Sequence, residues 1–74
     1  MIVLKIGDLF KFAIDEFTGL EVKNKIGIIL NDCYDENYTT HFLYILLDNQ
    51  TIRINKPKFL YFIDINKIIL LERS

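Results

Sequence analysis

The sequence predicts an all-β fold, a small barrel of about five strongly bent antiparallel strands. Three observations carry that expectation. Apolar and polar residues alternate with a period of two, as in Phe10-Lys-Phe12 and Thr51-Ile-Arg-Ile-Asn55. Two glycine-led runs, Lys5-Ile-Gly-Asp-Leu-Phe-Lys-Phe12 and Lys25-Ile-Gly-Ile-Ile-Leu30, place a residue without a Cβ where a strand bends or another backbone comes close. The chain has only 74 residues, enough for a single domain over 1–74.

The first strand is expected to run from Phe10 to Ile14, with Phe10, Phe12 and Ile14 on one face and Lys11 and Ala13 on the other. Asp15 to Gly19 reads as a turn. A second run extends from Leu20 or Glu21 to Asn31, polar on one side in its first half and apolar on both sides from Ile26 onward. Asn31 to Thr40, rich in Asn, Asp and Thr, reads as a loop. His41 to Asp48 is an aromatic and aliphatic strand, Asp48-Asn49-Gln50 a tight turn, and Thr51 to Asn55 a cleanly alternating strand. Pro57 interrupts the pattern, and the stretch near 56–66 reads either as a short helical turn or as an extra strand, with no capped helical stripe evident. Lys67 to Glu72 supplies a last strand. The inward set expected from this parity is Phe10, Phe12, Ile14, Ile26, Ile28, Leu30, Phe42, Tyr44, Leu46, Ile52, Ile54, Ile68 and Leu70. Ile29, Leu43, Ile45, Leu47, Ile69 and Leu71 have the opposite parity and in part reach the surface, an apolar excess that points to a partner or a second copy.

Composition excludes several classes of function. A chain this short buries only roughly 60% of its unfolded surface and commonly needs a staple. Cys33 is the only cysteine, so no disulfide closes within the chain, and one Cys with one His makes a soft-metal cage improbable. The remaining aids are a dense core or self-association, and the 51% hydrophobic content allows either. Nine basic and ten acidic residues produce no steering field for nucleic acid. No run approaches the ~20 apolar residues of a membrane span, and Met1-Ile-Val-Leu4 is interrupted by Lys5 before it can act as a secretory signal. A cytoplasmic protein with a free thiol and no cofactor is expected. The bias toward Ile, Lys, Asn, Asp and Tyr, with two Arg and no Trp, has the character of an AT-rich coding sequence, as in many phages and low-GC bacteria.

The order Ile6-Gly-Asp-Leu-Phe-Lys-Phe12, then Lys25-Ile-Gly-Ile-Ile-Leu30, then Leu43-Tyr-Ile-Leu46 before a turn resembles a group of small phage and bacterial SH3-like barrel proteins of largely unknown function. Their pattern runs roughly hGDhVk, GxhGhV and hxVhW before a glycine-containing hairpin and a short terminal strand. Phe10 here takes the Val place. Asn24 stands where the glycine opening the second element is common. Leu47 stands where Trp is frequent, and Asp48-Asn49-Gln50 replaces Asp-Gly. The likeness covers residues 5–54 and mostly encodes barrel geometry. It implies an SH3-like barrel without enzymatic activity, phage-encoded and working in the host cytoplasm. The same topology also serves modules that grip nucleic acid or protein, a matter that fold analogy does not decide.

Candidate sites follow from residue types. Tyr34, Tyr38 and His41, around the segment between the second and third strands, are candidate contact residues, because tyrosine offers stiff amphipathic area. Lys23, Lys25, Arg53, Lys56 and Lys58 could gather into a basic patch beside Phe59 or Tyr61, although lysines on a solvated edge that deter strand pairing fit the neutral charge better. Cys33 with His41, oriented by Asp32 or Asp35, is the single nucleophile–base combination, and such proximity in sequence is a common coincidence. Asp32, Asp35, Glu36 and Asn37 lack the register and the glycine of a calcium loop. Lys58 to Ile63 reads as a core plug in preference to a docking edge. The function expected is a non-catalytic protein-interaction or assembly module, with a protein partner or homodimer. The alternative is a nucleic-acid-binding barrel.

Overall fold

The computed structural model describes residues 2–74. Seven strands and one helix follow in the order β1 (Leu9–Phe12), β2 (Glu16–Phe17), β3 (Leu20–Glu21), β4 (Ile26–Asp35), β5 (Thr40–Leu47), β6 (Gln50–Asn55), α1 (Lys56–Asp64) and β7 (Ile68–Glu72). Five strands make one antiparallel sheet in the order β6-β5-β4-β1-β7, and β2 pairs with β3 in a separate two-residue hairpin. The sheet is therefore a β4-β5-β6 meander with β1 added on its β4 side, and the last strand returns to the far side of β1. Helix α1 packs against β7 at one end of this order and against β6 and its neighbour β5 at the other.

The interior is built around phenylalanine. Phe10, Phe12, Phe17 and Phe59 are all essentially inaccessible to solvent. Phe10 meets Phe59 edge-on with ring centroids 4.9 Å apart, and Phe12 at 5.5 Å, while Phe17 meets Phe62 at 4.9 Å. Aliphatic residues Val22, Ile29, Leu43, Ile45, Leu47, Ile54, Ile63 and Ile68 fill the remaining volume. Phe10 lies directly opposite Gly27 in the β1–β4 register. A Cβ at Gly27 would stand 2.5 Å from the tip of the Phe10 ring and 3.1 Å from the Leu46 carbonyl oxygen, so only glycine lets the ring lie there.

Two expectations from the sequence are corrected. The first concerns parity. Leu43, Ile45, Leu47 and Ile29 face the core, whereas Ile26, Leu30 and Leu46 are exposed and Ile28, Phe42 and Tyr44 are half-buried. The interior is already crowded with phenyl rings, so the aliphatic face of β5 fits it. The aromatic face, whose Tyr44 hydroxyl would need an internal partner, turns outward. A β-bulge at Leu30 shifts the β4–β5 register between Ile29 and Asn31. The second correction concerns the segment 31–40. Asn31 to Asp35 continue β4 and pair with Thr40 to Tyr44, leaving a turn of only Glu36 to Thr39. The second run is likewise interrupted, because a turn at Lys23-Asn24, with Asn24 at φ 58°, separates β3 from β4.

Of the two readings of the stretch near 56–66, the helical one holds. The stretch 56–64 is a nine-residue α-helix with both ends capped. The Asn55 side chain accepts a hydrogen bond from the Lys58 amide at 2.9 Å, and Pro57 occupies the first turn, where no N–H partner is needed. At the other end Asn66 takes the left-handed conformation at φ 61°. The Lys67 amide then donates to the Phe62 carbonyl and the Asn66 amide to the Ile63 carbonyl, the Schellman arrangement with asparagine in place of glycine. Phe59 and Ile63, one turn apart, are its buried residues. The Asp48-Asn49 turn, with both residues at positive φ, is the expected tight hairpin between β5 and β6.

A buried carboxylate ties the segment before β1 to the end of β7. Asp8 has no exposed surface. Its Oδ2 accepts the Lys5 amide at 2.8 Å and Arg73 Nε at 3.3 Å, and its Oδ1 accepts the Ser74 amide at 2.6 Å. Burial alone would raise the Asp8 pKa. The two backbone amides and the Arg73 guanidinium overcome that effect and hold it below the ordinary value.

Two predictions follow from the fold. Gly27→Ala should cost about 1–3 kcal/mol in urea unfolding with an unchanged m-value, because the buried Phe10 ring has nowhere to move; a variant as stable as the parent would mean that the ring can shift. Because the folded-state pKa of Asp8 is depressed, the unfolded chain takes up this proton first as pH falls. Its stabilisation is complete above the unfolded pKa near 3.8 and disappears as pH drops through the folded value. Asp8→Asn should be less stable at pH 7 and should flatten this acid limb of the stability curve, measured by thermal unfolding between pH 2 and 6.

Candidate functional site

The outer face of the five-stranded sheet, turned away from α1, carries an apolar surface. The register aligns its rows. Ile69 of β7, Lys11 of β1 and Ile26 of β4 lie side by side, and Leu9, Ile28 and Leu46 make the next row. Ile26 is 55% exposed, Leu71 50% and Ile69 45%, with Leu30 and Leu46 at 36% each. A hollow of about 290 Å³ opens among Leu9, Ile26, Ile28 and Leu46, with Asp48 and Asn49 on its rim. Of Leu43, Ile45, Leu47 and Ile69, four aliphatic residues placed on the outward parity, only Ile69 reaches solvent.

Beyond this surface the β4–β5 ribbon projects as a strip with two different faces. On one face Tyr34 and His41 are directly opposed, with ring centroids 4.9 Å apart. His41 Nδ1 is 3.9 Å from Asp32, whose other oxygen accepts Lys56 Nζ from the first turn of α1. On the other face Cys33 pairs with Phe42 and Asn31 with Tyr44. Arg53 reaches across from β6, stacks its guanidinium 3.6 Å from the centre of the Phe42 ring and donates to Asp35 at 3.0 Å. A hollow of about 250 Å³ with Cys33, Asp35, Phe42, Tyr44 and Arg53 in its walls marks this face. Tyr38, in the connecting turn, is 72% exposed.

The structure thus brings Tyr34 and His41 together and leaves Tyr38 apart at the tip. Cys33 and His41 project from opposite faces of the ribbon, since each shares a face with the residue opposite it, Phe42 and Tyr34 respectively. The two do not form a nucleophile–base pair. The acidic residues of the ribbon have local engagements: Asp35 with Arg53 and the Asn37 amide, Asp32 with Lys56. Among the described residues no group of three or more His, Cys, Asp or Glu is placed to hold a metal ion. No helix is long and apolar enough to cross a membrane.

The basic residues do not collect on one surface. Lys25 is paired with Asp48, at the Leu47 end of β5. Arg53 and Lys56 are paired with Asp35 and Asp32, toward the Thr40 end. Lys23 and Lys25 share a hollow with Asp15, Glu16 and Glu21. Lys58 lies within 6 Å of the Phe17 and Phe62 rings. The outer-face rows were hidden from the sequence by the parity of β4, where both faces are apolar. The Arg53–Phe42 stack becomes legible only once the β5–β6 register places Arg53 beside Tyr44 and hence diagonal to Phe42.

Arg53→Ala is expected to cost no more than about 1 kcal/mol, and a double-mutant cycle with Phe42→Ala should return a coupling of about 0.5–1 kcal/mol in urea unfolding. Zero coupling would show that the stack adds nothing to stability. Comparison with protein-family models, with curated proteins and with solved structures gives no match to this chain.

Proposed function

We propose that this chain is a non-catalytic protein-interaction or assembly module, of the phage-encoded SH3-like kind that it resembles, acting in the host cytoplasm. The observation that carries this reading is the outer sheet face, where Ile26, Ile69, Leu71, Leu30 and Leu46 are open to solvent on a domain of only 74 residues. Exposed apolar side chains aligned in rows across three strands are a surface for another protein. Charge supports selective docking, because the Lys25–Asp48 ion pair borders the aliphatic rows and Lys11 stands within them, between Ile69 and Ile26. The alternative, a nucleic-acid grip, draws on five basic residues, three of which are each held by a carboxylate.

A photo-crosslinking residue at Ile26 is expected to give a discrete protein adduct in the source cells, and one at Glu16, on the separate β2–β3 hairpin, is expected to give none. Equal labelling at both positions, or none at either, would contradict the docking face. In parallel, fluorescence anisotropy with single- and double-stranded oligonucleotides at ~50 mM salt, where phosphate-driven affinity is high, should show no binding. A salt-dependent signal there would transfer the assignment to nucleic acid.

A further inference from the structure

We infer that the free edge of β7 is a self-association surface whose occupant is a second copy of this chain, β7 against β7, antiparallel about a two-fold axis. The inference rests on the reading of the chain as an interaction module and names a partner for its β7 edge.

Strand β7 is outermost in the sheet. One side of its backbone pairs with β1. On the other side, among the described residues, no backbone hydrogen bond reaches Ile68 to Leu71. An unpaired edge of this kind is a template for another strand, and proteins usually blunt it with charge or proline. The two edges of this sheet differ in that respect. The β6 edge interleaves Gln50, Thr51, Arg53 and Asn55 with Ile52 and Ile54. The β7 edge carries four aliphatic residues in succession, with Ile69 and Leu71 about half exposed and no charge before Glu72. The register shift between β1 and β7 lies at the Glu72 end, so Ile68 to Leu70 keep regular strand geometry.

Charge selects the occupant and its direction. Lys67 stands immediately before β7 and Glu72 ends it, and neither has an ion-pair partner among the described residues. Arg73, the next cation, is already engaged by Asp8 and the Val3 carbonyl. An antiparallel pairing of two β7 strands brings Lys67 of each copy beside Glu72 of the other, twice, with the aliphatic residues between them. A parallel pairing would set Lys67 beside Lys67. Pairing with β6 would set the aliphatic run against a strand with Gln50, Thr51, Arg53 and Asn55 among its six residues. The patch is self-complementary, as a two-fold interface must be. In that register Ile69 meets its counterpart at the axis, with the bulged Leu71 taking up the extra residue before Glu72. A strand this short implies a weak, concentration-dependent dimer, since area alone does not set affinity.

The test is sedimentation velocity over a concentration range of ~5 to ~500 µM, bracketing a dissociation constant in the micromolar range, on the parent, Ile69→Lys, Lys67→Glu and the charge-swapped Lys67→Glu/Glu72→Lys protein. Circular dichroism checks that each is folded. The parent is expected to pass from monomer to dimer. Each single variant should weaken the dimer by about tenfold or more, equivalent to about 1.4 kcal/mol, and the charge swap should restore it. A parent that stays monomeric throughout, a charge swap no better than Lys67→Glu alone, or species that grow past the dimer would each overturn the two-fold β7 contact. The Ile26 crosslinking result is independent of this outcome. A monomer with an Ile26 adduct would reject the dimer and leave the interaction reading intact.

Discussion

The ring of Phe10 rests against the bare backbone of Gly27, and the rest of the fold is arranged around that approach. The contact holds β1 against β4 at the residue pair where any side chain on β4 would collide with the ring. The same ring meets Phe59 of α1 edge-on, so one side chain connects the sheet to the helix that covers it. Phe12 and Phe17 extend the aromatic contacts toward the β2–β3 hairpin. A chain of this size with a single cysteine gains its stability from dense packing of large side chains, and four buried phenyl rings supply much of that area.

That packing determines what is left outside. With the interior filled by rings, the inner face of β5 has room for Leu43, Ile45 and Leu47, and Phe42 and Tyr44 turn outward. Phe42 is then covered in part by the Arg53 guanidinium instead of by the core. On β4, β1 and β7 no comparable cover exists, and Ile26, Ile69 and Leu71 remain at the surface. The exposed apolar face and the aromatic core are two results of one allocation of side chains. Buried polar groups, by contrast, are satisfied: Asp8 has partners on both carboxylate oxygens.

Strand content, the Asp48-Asn49 turn and the close approach at Gly27 were legible because each depends on local chemistry, namely alternation, tolerance of positive φ and the absence of a Cβ. The inner parity of β4 and β5 was not, since both faces of these strands are apolar and a period of two cannot tell them apart. The extension of β4 through Asn31 to Asp35 ran against a composition that favours turns, and cross-strand pairing with Thr40 to Tyr44 overrode it. The helix had its signals in place, Asn55 and Pro57 before it and Asn66 after it, but it shows only two buried residues, too few to register as a stripe. Of the candidate contact residues, His41 was placed on the right strand, whereas Tyr34, expected in a loop, lies in β4. The apolar rows and the β7 edge depend on which strands are neighbours, and that information lies in the topology.

The neighbours β1 and β7 come from opposite ends of the described chain, and this has a consequence for how the molecule reaches its fold. The β4-β5-β6 meander consists of adjacent hairpins, which close within microseconds. The β1–β7 ladder is the pairing of longest sequence separation, so its closure carries the greatest entropic cost and belongs late in folding. On the ribosome, at about 5–20 residues per second, β1 emerges several seconds before its outer partner exists. During that interval Phe10 and Phe12 have β4 on one side and nothing on the other, and the nascent chain presents bare aromatic surface to chaperones and to other nascent chains.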